Sequence, residues 1–243
     1  MESSTQAVSD VERETAHSNA VREMFSGIAK KYDLLNHVLS LNIDKSWRRK
    51  VRAEIADILA NESTLVLDVA CGTGDLSLEL EREAKATVLG TDFCRPMLSI
   101  AHEKSRESIP YIEADAMNLP FADNEFDAVT IAFGLRNLPN VPHGLAELHR
   151  IVKPGGKLVV LEFSSPVVPG FRQLFNLYFS QILPRVGGIV SGSRAAYTYL
   201  PESVAKFPNQ KKLADVFTRT GFSDVRYANL TGGIAAIHIG IKR

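Results

Sequence analysis

The first nineteen residues, MESSTQAVSDVERETAHSN, show no apolar period and read as a flexible arm. From Ala20 to Lys31 the pattern becomes helical, with Val21, Met24, Phe25 and Ile28 on one face. Tyr32 to Asn42 is mixed. Ile43 to Leu59 is helical again, with Trp47, Val51, Ile55, Ile58 and Leu59 at helical spacing. Then the period changes. Short apolar runs at Leu65–Leu67, Thr87–Gly90, Tyr111–Ala114, Phe126–Ala132 and Lys157–Phe163 alternate with helical stretches at Asp75–Glu83, Pro96–Glu103 and His143–Val152. The last of these helices stops at Lys153-Pro154-Gly155-Gly156. Strands alternating with helices predict an α/β fold whose parallel sheet is covered on both faces, and right-handed crossovers make it doubly wound. Beyond Pro166 the pattern predicts a helix over Phe171–Leu183, a glycine-rich loop, a helix over Asn209–Thr220, and strands over Ser223–Asn229 and Ala235–Ile241. The expected organisation is one domain over 20–243: a helical segment (20–60), a strand–turn–helix half (61–165) and a closing part (166–243).

Composition narrows the function. Lys plus Arg and Asp plus Glu both number 28, so a net charge of 0 gives no electrostatic case for nucleic acid as a partner. The two cysteines, Cys71 and Cys94, are too few for a disulfide framework or a four-cysteine zinc site, and no metal centre is expected. The N-terminal stretch lacks the apolar core of a signal peptide. No apolar run reaches the ~20 residues needed to cross a bilayer. The chain is expected in the cytoplasm, with contact at the inner face of a membrane left open.

Candidate chemistry begins at LVLDVACGTGDLS, Leu65 to Ser77. A strand, a glycine turn and a helix start make a nucleotide-binding βα unit, in which Gly72 and Gly74 let a ligand approach the backbone. Two details speak against a dinucleotide. Ser77 replaces the third glycine, and Asp68 ends the strand, where a carboxylate suits a cationic amino-acid moiety better than a pyrophosphate. S-adenosylmethionine has an ammonium, a sulfonium and no phosphate. Asp92 follows at about the ~20-residue spacing expected of an acid that holds ribose hydroxyls. Asp115 closes the third strand, where an adenine amino group could be read. Strand ends also carry Asp as turn or capping residues, but three after such a turn form a more specific arrangement.

LDVACGTGD, GTDF, EADAMNLPF and FDAVTIAFGLRN together resemble a class I S-adenosylmethionine-dependent methyltransferase. YDLLNHVLSLNIDKSWRR, FGLRN and RIVKPGGKLVVLEFSSP resemble, more narrowly, the ubiquinone/menaquinone biosynthesis C-methyltransferases. The resemblance runs from about Val21 to the C-terminus. It implies a Rossmann-like, mostly parallel seven-stranded sheet with an N-terminal helical lid, and S-adenosylmethionine as co-substrate. It places cofactor contacts on Thr73, Asp92, Asp115 and Ala116. A further family contact, often a serine, falls on Ala132, which offers only its backbone. The implied acceptor is a polyprenylated hydroquinone, demethylmenaquinol in preference to a ubiquinone precursor, with a non-catalytic cofactor-binding module as the rival reading. A homodimer is left open.

A neutral quinone ring is electrophilic and will not attack a methyl group. The hydroquinone can, once a phenolic proton is lost, which calls for a base or a positive group. Arg136 and Asn137 follow the fourth strand, at the edge where open α/β sheets bind ligands. Arg136 would stabilise a phenolate or orient water, and Asn137 would hold the second ring oxygen. Tyr32, in the lid, is the third candidate, as hydrogen-bond partner or proton relay. The plainer readings are a salt bridge or turn cap for Arg136-Asn137 and simple packing for Tyr32. Other polar residues carry weaker signals. His37 relays a proton or caps a turn, Glu162 meets the site or caps a strand, and His238 packs. Trp47 is expected on a buried helix face, with Arg48, Arg49 and Lys50 on the solvated one. Arg194, Tyr197 and Tyr199 are expected in a loop at the substrate entrance, and Phe171–Phe179 in a helix on the sheet.

Overall fold

The computed structural model of the chain describes residues 2–40, 42–168 and 194–243, with the side chains at 2–11, 31, 34–39 and 194–198 outside the description. Seven strands form one sheet: β1 (Leu65–Val69), β2 (Thr87–Asp92), β3 (Tyr111–Glu113), β4 (Phe126–Ala132), β5 (Val152–Phe163), β6 (Phe222–Leu230) and β7 (Ala235–Lys242). Their order is β3-β2-β1-β4-β5-β7-β6. Neighbours among β1 to β5 pair parallel, while β7 runs antiparallel to both β5 and β6.

The central strands are near-continuous apolar runs because both faces of the sheet are covered. Alternation along each strand divides their side chains between two cores. Leu67, Val69, Val129, Ile131, Leu158 and Val160 pack with α6 (Val141–Ile151) and α8 (Gln210–Arg219). Val66, Ala128, Val159 and Leu161 face the other way, onto α2 (Ile43–Glu54), α3 (Ala56–Leu59) and α4 (Asp75–Glu81). Trp47 is the anchor of α2, buried and donating through Nε1 to Thr231 Oγ1 at 3.0 Å. A third cluster joins α1 (Glu2–Leu39) to α5 (Arg95–Ser105) through Phe25, Ala29, Tyr32, Cys94 and Met97.

Several elements differ from the sequence reading. Of the arm expected over 1–19, residues 2–19 form the first half of α1, one continuous helix. Residues 2–31 contain no proline and one glycine, and Glu14 and His17 find partners on the body of the domain. The helix expected over Ile43–Leu59 breaks at Ile55, which leaves helical geometry at φ −122°. Arg48 is buried against Asp44 and Asp75, and only Arg49 and Lys50 face solvent. Strand β5 starts at Val152 because Pro154-Gly155-Gly156 is absorbed as a bulge, where the register against β4 shifts. Of the stretch SRAAYTYL, expected as a loop, the residues from Arg194 on belong to α7 (Arg194–Lys206). The helix expected over Phe171–Leu183 and its glycine-rich loop lie outside the described residues. Among those described, no helix is long and apolar enough to cross a membrane.

Candidate active site

The turn after β1 is built from left-handed backbone: Ala70, Gly72 and Gly74 have φ of 51°, 57° and 81°. A Cβ at Gly74 would stand 2.6 Å from the Tyr111 hydroxyl, so sterics as well as φ require glycine there. Asp68 lies beneath this turn rather than in front of it. It is fully buried, accepting from Ser77 Oγ at 2.6 Å and from Thr130 Oγ1 at 2.9 Å. Burial pushes its pKa up to about 7 against the pull of those two hydroxyls. Asp68, expected to meet a cationic ligand, ties β1, α4 and β4 together and is not among the residues that line the cavity at the carboxyl ends of the strands. Ser77, in place of a third glycine, supplies one of the ties. Thr73 is also turned away, its hydroxyl donating to the Asp33 carboxylate on α1, and Gly74 caps α4.

The remaining predicted cofactor residues meet in one cavity at the carboxyl ends of β1 to β4, under α1. Gly72, Asp92, Asp115, Ala116 and Ala132 all line it. Asp92 accepts from Gly72 N and Cys94 N, both at 2.8 Å, one on each oxygen. Burial nevertheless pushes its pKa up to about 6. Asp115 is set by Met117 N at 2.9 Å. Phe93 and Met97 supply apolar wall, and Tyr32 comes down from α1, its ring beside Gly72. Burial raises the Cys71 thiol pKa further, which suits packing rather than reaction.

At the far end of the cavity, β4 leaves the sheet through Phe133, held at a left-handed φ of 57°. Backbone of this kind in a bulky residue is characteristic of functional sites. The 3₁₀ turn Leu135–Asn137 follows. Asn137 lines the cavity; Arg136 stands behind it. The Arg136 guanidinium donates to Glu162 Oε1 at 2.8 Å and to Phe133 O, and lies over the Phe163 ring. Both partners are buried, with side chains 6% and 1% exposed. Arg136, expected at the substrate, is drawn by Glu162 at the end of β5 to a position behind the lining residues. Glu162 itself accepts from three donors, Arg136 N, Arg136 Nη1 and Phe163 N. Phe133 and Phe163 stack at 4.7 Å between centroids, with Trp47 behind them.

Tyr199, expected near the substrate entrance, and residues not singled out from the sequence complete the site. His17 Nε2 lies 3.1 Å from Asn137 O, and Ser18 lines the cavity. The Tyr199 hydroxyl on α7 is 3.1 Å from Asn137 Oδ1. Asp33 pairs with Lys104 at 2.8 Å, Lys104 with Asp75, and Asp75 with Arg48 at 3.2 Å, a chain of charges binding α1 to the glycine turn. Asp33 adjoins Tyr32 in sequence, but nothing in the local pattern marked Lys104 as its partner 71 residues on. His238 packs as expected, 2% exposed with Nε2 on Gln210 O. The side chains of His37, Arg194 and Tyr197 lie outside the described residues.

This strand order, with a glycine turn after β1 and carboxylates at the ends of β2 and β3, defines a methyltransferase of the Rossmann-like class I. A solved chain from the complex between the Haloferax volcanii Trm112 methyltransferase activator and its methyltransferase superposes with a TM-score of 0.64 at 16% identity, covering 89% of this chain and 96% of that one. The chain belongs to the ubiE/COQ5 methyltransferase family, whose profile matches residues 13–242. It is 50% identical over 228 residues to the demethylmenaquinone methyltransferase of Deinococcus radiodurans, covering 92% of this chain and 93% of the relative. It is 49% identical over 221 residues to that of Thermus thermophilus, covering 89% and 99%.

Proposed function

We propose that the chain transfers a methyl group from S-adenosylmethionine to a ring carbon of demethylmenaquinol, giving menaquinol. The observation that carries the acceptor is the 50% identity, across nearly the whole length of both chains, to a demethylmenaquinone methyltransferase. The donor set of the cavity supports the cofactor. Asp92 has lone pairs left for ribose hydroxyls, Asp115 and Ala116 stand where an adenine edge is read, and the Gly72 turn leaves backbone open to the amino-acid end. S-adenosylmethionine supplies a methyl group on a sulfonium, the leaving group being a neutral thioether.

The protein's part is alignment, exclusion of water and management of one proton. Overall the phenolic oxygen loses its proton, the adjacent ring carbon forms the bond to methyl, and the methyl–sulfur bond breaks. The hydrogen on that ring carbon then leaves as the oxygen regains a proton, so one proton is released net. Asn137 holds the second ring oxygen, and Phe133 and Tyr32 flank the ring. Arg136 keeps its proton and is balanced by Glu162, so it holds the turn that carries Asn137 rather than acting as base. Water takes the proton. Residues 20–60 act as the lid, with α1 closing over the glycine turn through Asp33. The polyprenyl tail of the acceptor brings the chain to a membrane surface.

The test is transfer of labelled methyl to short-tailed demethylmenaquinol and, in parallel, to the methyl-accepting benzoquinol precursor of ubiquinone, both kept reduced. Label in the naphthoquinol ring supports the reading. Label confined to the benzoquinol ring would replace it with the ubiquinone pathway.

A further inference from the structure

Among the described residues, four large apolar side chains stand exposed: Ile43, Val167, Val168 and Tyr227. Three of the four gather at one edge of the sheet, around the turn Thr231–Gly233. That turn joins β6 to β7 at the carboxyl end of β5, where Phe163 pairs with Ala235. Val167 N donates to Gly232 O at 3.0 Å. Thr231 Oγ1 accepts from Trp47 Nε1, and Trp47 lies one helical turn beyond Ile43, the first residue of α2. The Trp47 ring is 6.0 Å from that of Phe133, which lines the cavity. The exposed edge therefore borders the Phe133 end of the site. Single exposed apolar residues need no explanation, but a group of them beside a cavity does.

The helix that starts at this edge adds charge of one sign. On α2, Asp44, Trp47, Arg48 and Val51 turn inward. The outer face carries Lys45, Arg49 and Lys50, all exposed. Its carboxylates are already taken: Asp44 is buried against Arg48, and Glu54 pairs with Arg226. The segments 164–168 and 229–234 contain no charged residue. Cations beside uncharged apolar loops are what an anionic bilayer attracts, the cations to lipid phosphates and the apolar side chains to the headgroup boundary.

We propose that this edge docks the protein on an anionic lipid surface, with Ile43, Val167 and Val168 entering the headgroups and Lys45, Arg49 and Lys50 meeting phosphates. The purpose of such a surface rests on the reading above, in which the acceptor carries a polyprenyl tail. Docked this way, the chain turns the Phe133 end of its cavity toward the bilayer, and the ring enters while the tail stays in lipid.

The test floats the whole chain with vesicles of phosphatidylcholine, alone or mixed with phosphatidylglycerol, and with no quinol present. Binding should require phosphatidylglycerol and fade as salt is raised. Lys45→Gln with Arg49→Gln and Lys50→Gln should weaken it by on the order of a hundredfold. Val168→Asp should weaken it as well. The control, Lys211→Gln with Lys212→Gln and Arg219→Gln, removes as many exposed cations from α8, across the sheet from α2, and should bind like wild type. Thermal unfolding midpoints near that of wild type certify the variants. An α2 variant that binds like wild type, or an α8 control that loses as much, overturns the docking face. So does a wild-type chain that ignores anionic vesicles, or one whose edge is covered by a second copy, seen as a dimer that Val168→Asp splits. The acceptor reading fails separately. Vesicle binding without methylation of demethylmenaquinol removes that reading and leaves the surface; methylation of a short-tailed acceptor without vesicle binding does the reverse.

Discussion

Asp92 is held on both oxygens by backbone N–H groups, yet burial pushes its pKa up to about 6. Its ordinary value is near ~3.9. Between the two, the folded state keeps a proton that the unfolded chain has lost, so this residue's effect is to lower stability as pH rises through that window. Binding goes the other way. Ribose hydroxyls donate best to the carboxylate, so affinity for S-adenosylmethionine should be full above about pH 6 and fall below it. Calorimetry across pH checks this, and Asp92→Asn should bind weakly with a flat profile. Arg136 makes a second residue-scale prediction. Arg136→Ala leaves Glu162 buried and unpaired, a loss of about 3–5 kcal/mol. Turnover should fall together with thermal stability, while removing both charges, Arg136→Met with Glu162→Leu, should restore stability but not turnover. A stable Arg136→Ala variant would show that the pair does not hold the turn.

At this scale the sequence is legible where a motif fixes backbone. Gly72, Asp92 and Asp115 follow from strand ends and a glycine turn, Ala132 from the family resemblance, and all four line one cavity. Local pattern does not fix which of two directions a side chain takes. Asp68 and Thr73 stand in the same motif but turn inward, to Ser77 and Thr130 and to Asp33. Arg136 turns to Glu162, a partner 26 residues away whose position depends on the β4–β5 register.

Among the elements, α1 decides how the site is closed. Its first half carries no apolar period, and its described side chains are held at points, Glu14 at Asn140 and His17 at Asn137 O, while Asp33 in the second half meets Thr73 and Lys104. Lys104 bridges Asp33 and Asp75, so the end of α5 joins α1 to the start of α4. Substituting Lys104→Met leaves two carboxylates facing one another without their shared cation. Proteolysis within residues 12–40 should then speed up, and the KM for S-adenosylmethionine should rise more than kcat falls. An unchanged cleavage rate would mean that the charges do not hold α1 down. The helix α7 was read as a loop because its tyrosines resembled an entrance, whereas Ala195, Ala196 and Leu200 favour a helix.

For the whole molecule, the alternation of apolar runs and helical stretches predicted the sheet, and the antiparallel placement of β7 between β5 and β6 completes the class I order. The family resemblance gave only a mostly parallel seven-stranded sheet, since two terminal strands alone do not reveal which is inserted. The sheet brings four strand ends to one edge, and α1 covers it. The account's central claim is that this edge aligns a methyl donor with the ring carbon of a reduced acceptor. The most direct measurement is methyl transfer from labelled S-adenosylmethionine to short-tailed demethylmenaquinone, with and without a chemical reductant. Label entering the ring only when the acceptor is reduced is the predicted result. Equal incorporation into the oxidised quinone, or none under either condition despite saturating cofactor, would contradict it.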